Sequence, residues 1–271
     1  MRRLLAVVLL SLAPLTASAH PGVGIVRDRQ GNVFYSDLVH IWRIDPAGRK
    51  SIAVRDVHSH ELAMDSAGNL YGEDSRYQGG DRYRHRIWKR LPDGRVVDVV
   101  PWRDGFWRAY GFTSDAFGAM YWVTCPDRVC TIKRRALNGL VSSVVPDKPF
   151  GSQINLIAAG PDASIYLVDG GDLRVITRAG RMETRARGVG SALMGMLPDS
   201  GESVLVASYG TRAVLRVNAR GTVDTVATTP APWGPSGVMR APNGDLWLLE
   251  YSTTNEAHVR RVGRDGRSTV Y

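Results

Sequence analysis

The chain has 271 residues, of which 44% are hydrophobic and 23% charged, a composition that excludes a disordered chain, collagen and a coiled coil. Its 29 glycines and 14 prolines favour many tight turns over long helices. The formal net charge is +9, but the basic residues are scattered instead of forming a stripe, which argues against a nucleic-acid-binding protein.

The first 19 residues have the features of a secretory signal peptide. Arg2 and Arg3 are followed by an apolar run at 4–12 that is too short to remain in a bilayer, and residues 17–19 are small. We therefore expect a mature chain of residues 20–271 that begins at His20, carries no stable membrane anchor, and is secreted or periplasmic. That chain contains 33 Lys+Arg and 26 Asp+Glu, a net charge of +7.

Two series of turns repeat along the rest of the chain. The first series begins at Asp28, Asp65, Asp115, Pro161, Pro198 and Ala241, and the second ends in Gly48, Gly94, Gly139, Gly180, Gly221 and Gly266. Asp and Asn side chains close turns and glycine accepts positive φ, so both series predict hairpins. Short apolar or alternating runs between the turns are typical of strands.

Six such units fill residues 20–271, and each contains four predicted antiparallel strands. Four-stranded units of this length predict an all-β fold, a six-bladed β-propeller that forms a single domain. The chain begins at a first strand and ends at a fourth strand. We therefore expect blades 1 and 6 to be joined by side-chain packing without strand exchange.

One unit also resembles a known family. Gly68-Asn-Leu-Tyr71, then Arg86-Ile-Trp88 and Asp93-Gly-Arg95, looks like an NHL repeat and is similar to the wider gluconolactonase-like six-bladed propellers. This resemblance implies the propeller fold. It also implies a divalent cation, such as calcium, held in the channel by carboxylate and amide oxygens, and Glu61 and Asn155 come closest to that ligand set.

Aligning the units on the first turn predicts which residues border the channel mouth. His60 then falls in one column with Val23, Tyr110, Asn155, Met194 and Ser236. We take Glu61, Tyr110, Asn155, Met194 and Ser236 as candidate ligand-binding residues at the mouth.

The histidines suggest a nitrogen-rich metal site. After cleavage His20 would carry a free amine, and His58 and His60 alternate with Ser59, so an extended segment points both rings to one side. Amine and imidazole nitrogens suit copper or zinc, with copper higher in the affinity order. The three ligands resemble histidine-brace copper sites; the alternative is an ordinary polar loop.

Two further features have simple structural interpretations. Cys125 and Cys130 flank a predicted hairpin turn, and in an oxidising compartment we expect them to form a structural disulfide. Acidic residues end several second strands, and we interpret them as turn caps or arginine partners. The acidic residues are Asp37, Glu73, Asp74, Asp169 and Glu250.

Three functional hypotheses follow. The first is an exported, monomeric propeller that binds a metal ion, copper in particular, or a small molecule at the channel mouth through His20, His58 and His60. The second is a gluconolactonase-like hydrolase that uses a divalent cation. The third is a non-catalytic scaffold that binds a protein or glycan. The sequence favours binding over catalysis because no acid–base pair can be identified from it.

Overall fold

The computed structural model describes residues 21–79, 82–104, 111–115, 117–124, 129–145, 154–199 and 201–271. These residues form six sheets of four antiparallel strands, each sheet made from four consecutive strands. The innermost strands of successive sheets contact one another, and the first also contacts the innermost strand of the sixth. The predicted six-bladed propeller is confirmed, and each blade comes from one repeat.

The strands of the first three blades have the following bounds. Blade 1 contains β1 (Ile25–Arg27), β2 (Val33–Ser36), β3 (Ile41–Ile44) and β4 (Lys50–Val54). Blade 2 contains β5 (Leu62–Met64), β6 (Leu70–Gly79), β7 (Arg82–Arg90) and β8 (Val96–Asp104). Blade 3 contains β9 (Phe112–Ser114), β10 (Met120–Thr124), β11 (Thr131–Arg135) and β12 (Val141–Ser143).

The last three blades follow the same order. Blade 4 contains β13 (Ile154–Ala159), β14 (Ile165–Asp169), β15 (Asp172–Ile176) and β16 (Met182–Ala186). Blade 5 contains β17 (Leu193–Pro198), β18 (Val204–Ser208), β19 (Ala213–Val217) and β20 (Val223–Thr228). Blade 6 contains β21 (Gly234–Arg240), β22 (Leu246–Tyr251), β23 (Ala257–Val262) and β24 (Ser268–Val270).

The turn chemistry read from the sequence closes the hairpins. In blade 2, Asp65 accepts a hydrogen bond from the backbone N–H of Asn69 at 2.9 Å and one from the amide of the same residue at 2.7 Å. Gly68 takes a φ of 82°, in the left-handed region that glycine tolerates. In each blade the two series of turns follow the first and the third strand, which run in the same direction, so all these turns lie at one end of the propeller. The first strands begin at the other end, which we call the channel mouth.

Blades 1 and 6 close the ring by packing. The Tyr251 hydroxyl donates a hydrogen bond to the Ser36 carbonyl at 3.0 Å, and the rings of Trp247 and Tyr271 stack with centroids 5.4 Å apart. Buried residues of both blades share one apolar cluster. The predicted closure without strand exchange is therefore confirmed. None of the described residues forms a helix with the length and apolar character of a membrane span.

Candidate functional site

One level of the channel, just beyond the mouth column, is built mainly from glycine. One residue beyond the channel-mouth column, four of the six blades carry Gly24, Gly111, Gly195 and Gly237. A Cβ atom on Gly195 would lie 2.4 Å from the Ser236 carbonyl oxygen, so adjacent inner strands approach too closely for a side chain. Blade 4 places Leu156 at this level and blade 2 places Glu61. Glu61 is therefore the one ionisable side chain of this column.

Glu61 is buried beside a second carboxyl group. The residue is 7% exposed, and its carboxyl group interacts with that of Glu73. Burial raises the pKa of Glu61 well above its ordinary value, and the charge of Glu73 raises it further. A buried carboxylate in this state is costly unless a proton or a cation neutralises it.

Glu73 stands opposite Glu61 across the first two strands of blade 2. The β5–β6 ladder pairs Leu62 with Gly72, so the next residues along the two strands face each other. Like charges in that relation repel and destabilise the sheet. The two carboxyl groups are therefore stable side by side only when a proton or a cation reduces their negative charge.

His60 is a hydrogen-bonding partner of Glu73. Its Nδ1 lies 2.8 Å from Oε1 of Glu73, and its backbone N–H donates to the same oxygen at 3.3 Å. Burial raises the pKa of Glu73, but the hydrogen bond and the charge of His60 outweigh it, so the pKa is lowered. Ligand atoms of His60, Glu61 and Glu73 all lie within 4.8 Å of one another. The three residues form a compact cluster that we call the mouth triad.

Trp88 holds the triad in place from the third strand. Its indole N–H is 2.9 Å from the Glu73 carbonyl oxygen and 3.1 Å from the Ser59 hydroxyl, and the Ser59 hydroxyl itself donates to the Glu73 carbonyl. The indole ring lies where a side chain of residue 72 would be: a Cβ on Gly72 would be 2.3 Å from Trp88. Glycine at position 72 and tryptophan at position 88 are thus a matched pair that fixes the strand carrying Glu73.

A cavity of about 450 Å³ opens beside the triad. Its lining includes Pro21, His60, Glu61 and Met194 together with apolar residues of blades 4 and 5. Glu61 also lines the channel beyond it, a space of about 220 Å³. A small molecule in the outer cavity would therefore contact the triad directly.

The structure brings two of the three predicted nitrogen ligands together but gives them different partners. The rings of His58 and His60 are 4.8 Å apart at their centroids and roughly perpendicular. Nδ1 of His58 lies 3.1 Å from the Leu38 carbonyl oxygen, whereas Nδ1 of His60 faces Glu73. Burial lowers the pKa of His58, and the charge of His60 adds to this effect. His20 lies outside the described residues.

The other channel-mouth candidates have separate outcomes. Met194 lines the cavity, as expected for that column. Ser236 is fully buried, and its hydroxyl donates to the Leu249 carbonyl at 3.3 Å within blade 6. Tyr110 lies outside the described residues, and Asn155 is placed in β13 without a described side chain.

The disulfide expectation remains a prediction. Cys130 is fully buried immediately before β11, and Cys125 lies outside the described residues.

Sequence reasoning missed Glu73 as a site residue. The interpretation of the acids as arginine partners holds for Asp74, Asp169 and Glu250, which pair with Arg86, Arg174 and Arg260. It fails for Glu73, which is one position earlier in its strand. Position 73 corresponds in the other blades to Ser36, Val123, Val168, Ala207 and Leu249. A charged residue in an otherwise uncharged column was the signal that could have identified it.

Comparisons with known proteins place this geometry in context. No protein-family profile matches the chain, and no curated protein sequence matches it. Among solved structures, a catalytically inactive histidine-to-alanine variant of virginiamycin B lyase from Staphylococcus aureus, solved with quinupristin, is similar over 95% of this chain and 86% of its own. Its sequence identity is 17% and its TM-score 0.60.

Two other similar structures are named for calcium binding and for lactone chemistry. A calcium-binding regucalcin from Agrobacterium tumefaciens has 18% identity and a TM-score of 0.60, covering 84% of this chain and 81% of its own. A gluconolactonase from Xanthomonas campestris has 15% identity and a TM-score of 0.60, covering 84% and 83%. At these identities the likeness shows the fold. It confirms the predicted resemblance to gluconolactonase-like six-bladed propellers.

Proposed function

We propose that this chain is a divalent-cation-dependent hydrolase of the gluconolactonase type, in which Glu61 and Glu73 hold the cation and His60 lies beside it. One observation carries the proposal: Glu61 is buried directly opposite a second carboxyl group, and ligand atoms of the two groups lie within 4.8 Å of each other. A cation between the two groups would neutralise them in place of a proton.

The donor set fits a calcium or zinc ion better than copper. Carboxylates are ligands that zinc accepts, and carboxylate oxygens are the preferred ligands of calcium. The regucalcin neighbour is described as calcium-binding, which supports the same class of ion. When bound, such a cation polarises a substrate carbonyl oxygen and stabilises the negative charge that develops on it.

The His60–Glu73 pair favours catalysis over simple binding. A carboxylate that holds one ring nitrogen fixes the orientation of an imidazole, which is the arrangement used for general acid–base work. In the virginiamycin B lyase neighbour, replacing a histidine by alanine gives a catalytically inactive protein. We infer that His60 moves the proton when the ring of a cyclic ester is opened.

Cation binding is the first test. Chain 20–271 is freed of metal with a chelator and titrated calorimetrically with Ca²⁺ and Zn²⁺. We expect saturable binding of at least one of them, weakened by Glu61→Gln and by Glu73→Gln, at least about tenfold for the loss of one charged ligand. Glu183→Gln, a matched change at an exposed glutamate on β16, should bind as the original chain does. Binding that is absent, or unchanged in both triad variants, would exclude this site.

Turnover is the second test. A panel of sugar lactones is incubated with the cation-loaded chain, and the products are analysed by mass spectrometry. Hydrolysis gives a ring-opened product that is heavier than the lactone by the mass of one water. We expect His60→Asn to abolish hydrolysis while cation binding is retained in part. A ring-opened product of unchanged mass would indicate elimination and would replace the hydrolase assignment with a lyase.

The copper hypothesis remains a separate prediction. It is favoured by the position of Pro21, the residue after His20, because Pro21 lines the same cavity as His60 and Glu61. It requires export and cleavage after Ala19. Copper binding by chain 20–271 that disappears when one alanine is added before His20, or in His58→Ala, would support it. Copper binding unaffected by either change would reject it.

A further inference from the structure

A group of exposed apolar side chains lies at the end of the propeller opposite the channel mouth. Phe117 is 66% exposed, Leu137 77%, Leu140 67% and Val141 51%. Phe117 belongs to the first turn of blade 3, and the other three belong to its second turn and the start of β12. We call these four residues the blade-3 tip.

The repeats of the same chain show that this composition is unusual. The position of Leu140 in the second turn holds arginine in blades 1, 2, 4 and 6 and threonine in blade 5. Those residues are Arg49, Arg95, Arg181, Arg267 and Thr222. The position of Phe117 holds Gln30 in blade 1 and Asn243 in blade 6. The hairpin fold therefore does not require apolar residues at these turns, and large exposed apolar groups mark an interaction surface.

The two turns form one continuous patch. The Cδ2 atom of Leu137 is 3.0 Å from where a Cβ on Gly118 would lie, so the second turn touches the first turn beside Phe117. Both turns are the ends of hairpins, and all four side chains are more than half exposed. Exposed apolar side chains of this kind can enter the headgroup region of a bilayer.

The charge around the patch is positive. An Nη2 atom of Arg135 lies 3.7 Å from the Cβ position of Gly139 in the second turn, and Lys133 follows along the same strand. The acid of the first turn, Asp115, is 4% exposed and turns inward, where it accepts a hydrogen bond from Tyr121. The second turns of blades 1, 2 and 6 contain Asp45, Asp93 and Asp265, and the corresponding turn of blade 3 has no acid.

We propose that the blade-3 tip docks the protein on an anionic lipid bilayer, with Phe117, Leu137 and Leu140 entering the headgroup region and Arg135 contacting lipid phosphates. Apolar side chains flanked by cations bind such surfaces by burial together with attraction to acidic lipids. A second copy of the chain fits the tip less well, because a symmetric contact would bring two tips with the same positive charge together. Docking at this end leaves the channel mouth facing away from the membrane.

Vesicle sedimentation tests the proposal. Chain 20–271 contains all the described strands and lacks the apolar run at 4–12, which would itself bind lipid. It is mixed with vesicles of phosphatidylglycerol and phosphatidylcholine, and separately with vesicles of phosphatidylcholine alone. We expect sedimentation with the anionic vesicles, weakened by salt, and at least about tenfold weaker partitioning for the neutral ones.

The decisive variant replaces the tip with residues that other blades carry at the same positions. Phe117→Gln, Leu137→Ala and Leu140→Thr together copy positions 30, 219 and 222, so the variant should fold. We expect partitioning to anionic vesicles to fall at least about tenfold. Val96→Thr with Val270→Thr removes exposed apolar surface on two outer strands elsewhere and should change partitioning less than about twofold.

Three results would overturn the proposal. One is an original chain that does not sediment with anionic vesicles, and another is a triple variant that sediments as well as the original. The third is self-association of the original chain by light scattering that the triple variant loses, because the tip would then be a contact between copies. Loss of ellipticity or a changed melting temperature identifies a misfolded variant, and in that case Arg135→Gln supplies the test through a smaller salt dependence.

Discussion

Glu61 shows how the burial and charge state of a residue depend on its position in a repeat. In four blades the equivalent position is glycine because the inner strands approach within van der Waals contact. A carboxyl group there has no access to water and faces a second carboxylate on the next strand. An ordinary acidic residue thereby becomes a group that requires a proton or a cation.

The equivalent position in blade 4 suggests a direct test of that argument. We expect Glu61→Leu, which places at this level the residue type of Leu156, to leave the metal-free protein as stable or to stabilise it by about 1–4 kcal/mol, the range for replacing buried charge with packed apolar groups. The cation should no longer raise the melting temperature of the variant. The measurement is thermal unfolding with and without Ca²⁺ or Zn²⁺; a variant that unfolds at a lower temperature than the metal-free original would contradict it.

Blade 2 is the element that builds the site. Its strands β6, β7 and β8 have 10, 9 and 9 residues, the longest of the described strands; Glu73 lies on β6, and His60 and Glu61 immediately precede β5. In this sheet Trp88 packs against Gly72, and the indole N–H donates a hydrogen bond to the Glu73 carbonyl. The same contact therefore serves both packing and the position of a site residue.

A methyl group at position 72 should disrupt that contact. Gly72→Ala puts a Cβ 2.3 Å from the Trp88 ring, and we expect a loss of about 1–3 kcal/mol of unfolding free energy from overpacking, together with weaker cation binding. The smaller ring in Trp88→Phe should recover part of the loss when the two changes are combined. Chemical denaturation of the two single variants and the double variant measures this coupling, and strictly additive effects would show that the contact is not the cause.

At the scale of the whole molecule, hydrogen-bonded aspartates close turns in four of the six blades. Hydrogen bonds within the turns, with arginine contacts at several of them, lower the pKa of these carboxyl groups below the ordinary value of 3.8. At Asp65 and Asp245 burial raises the pKa, but the hydrogen bonds outweigh this effect and the pKa is lowered. The residues concerned are Asp45, Asp65, Asp93, Asp162 and Asp245. Their carboxylates close turns in four different blades, so their protonation affects the propeller as a whole.

These aspartates predict how stability depends on acid. Because the folded pKa values lie below the unfolded ones, the contribution of these groups is fully present above the unfolded value and is lost as the pH falls through the folded values. We expect the contribution of these aspartates to keep the melting temperature from falling until the pH drops below about 4, and the melting temperature to fall progressively from there. Asp65→Asn should reduce the steepness of that fall. A melting temperature that stays constant down to pH 3 would contradict the prediction.

The sequence alone determined the architecture. Turn residues such as Asp65 and Gly68 repeat at nearly regular intervals, and local backbone chemistry acts over a few residues, so six hairpin units could be counted without coordinates. Closure of the ring without strand exchange could also be predicted, because the first repeat begins with a first strand and the last repeat ends with a fourth strand. Two members of the predicted channel-mouth column, His60 and Met194, line one cavity.

Only the tertiary structure decided the site. Glu61 and Glu73 are 12 positions apart in the sequence, and their opposition depends on the register of β5 against β6 and on how closely the neighbouring inner strands approach. His58 and His60 share a side of one segment, as alternation predicts, yet packing against Leu38 and Glu73 gives their rings different partners. Burial, register and close approach are properties of several strands together, and no single stretch of sequence contains them.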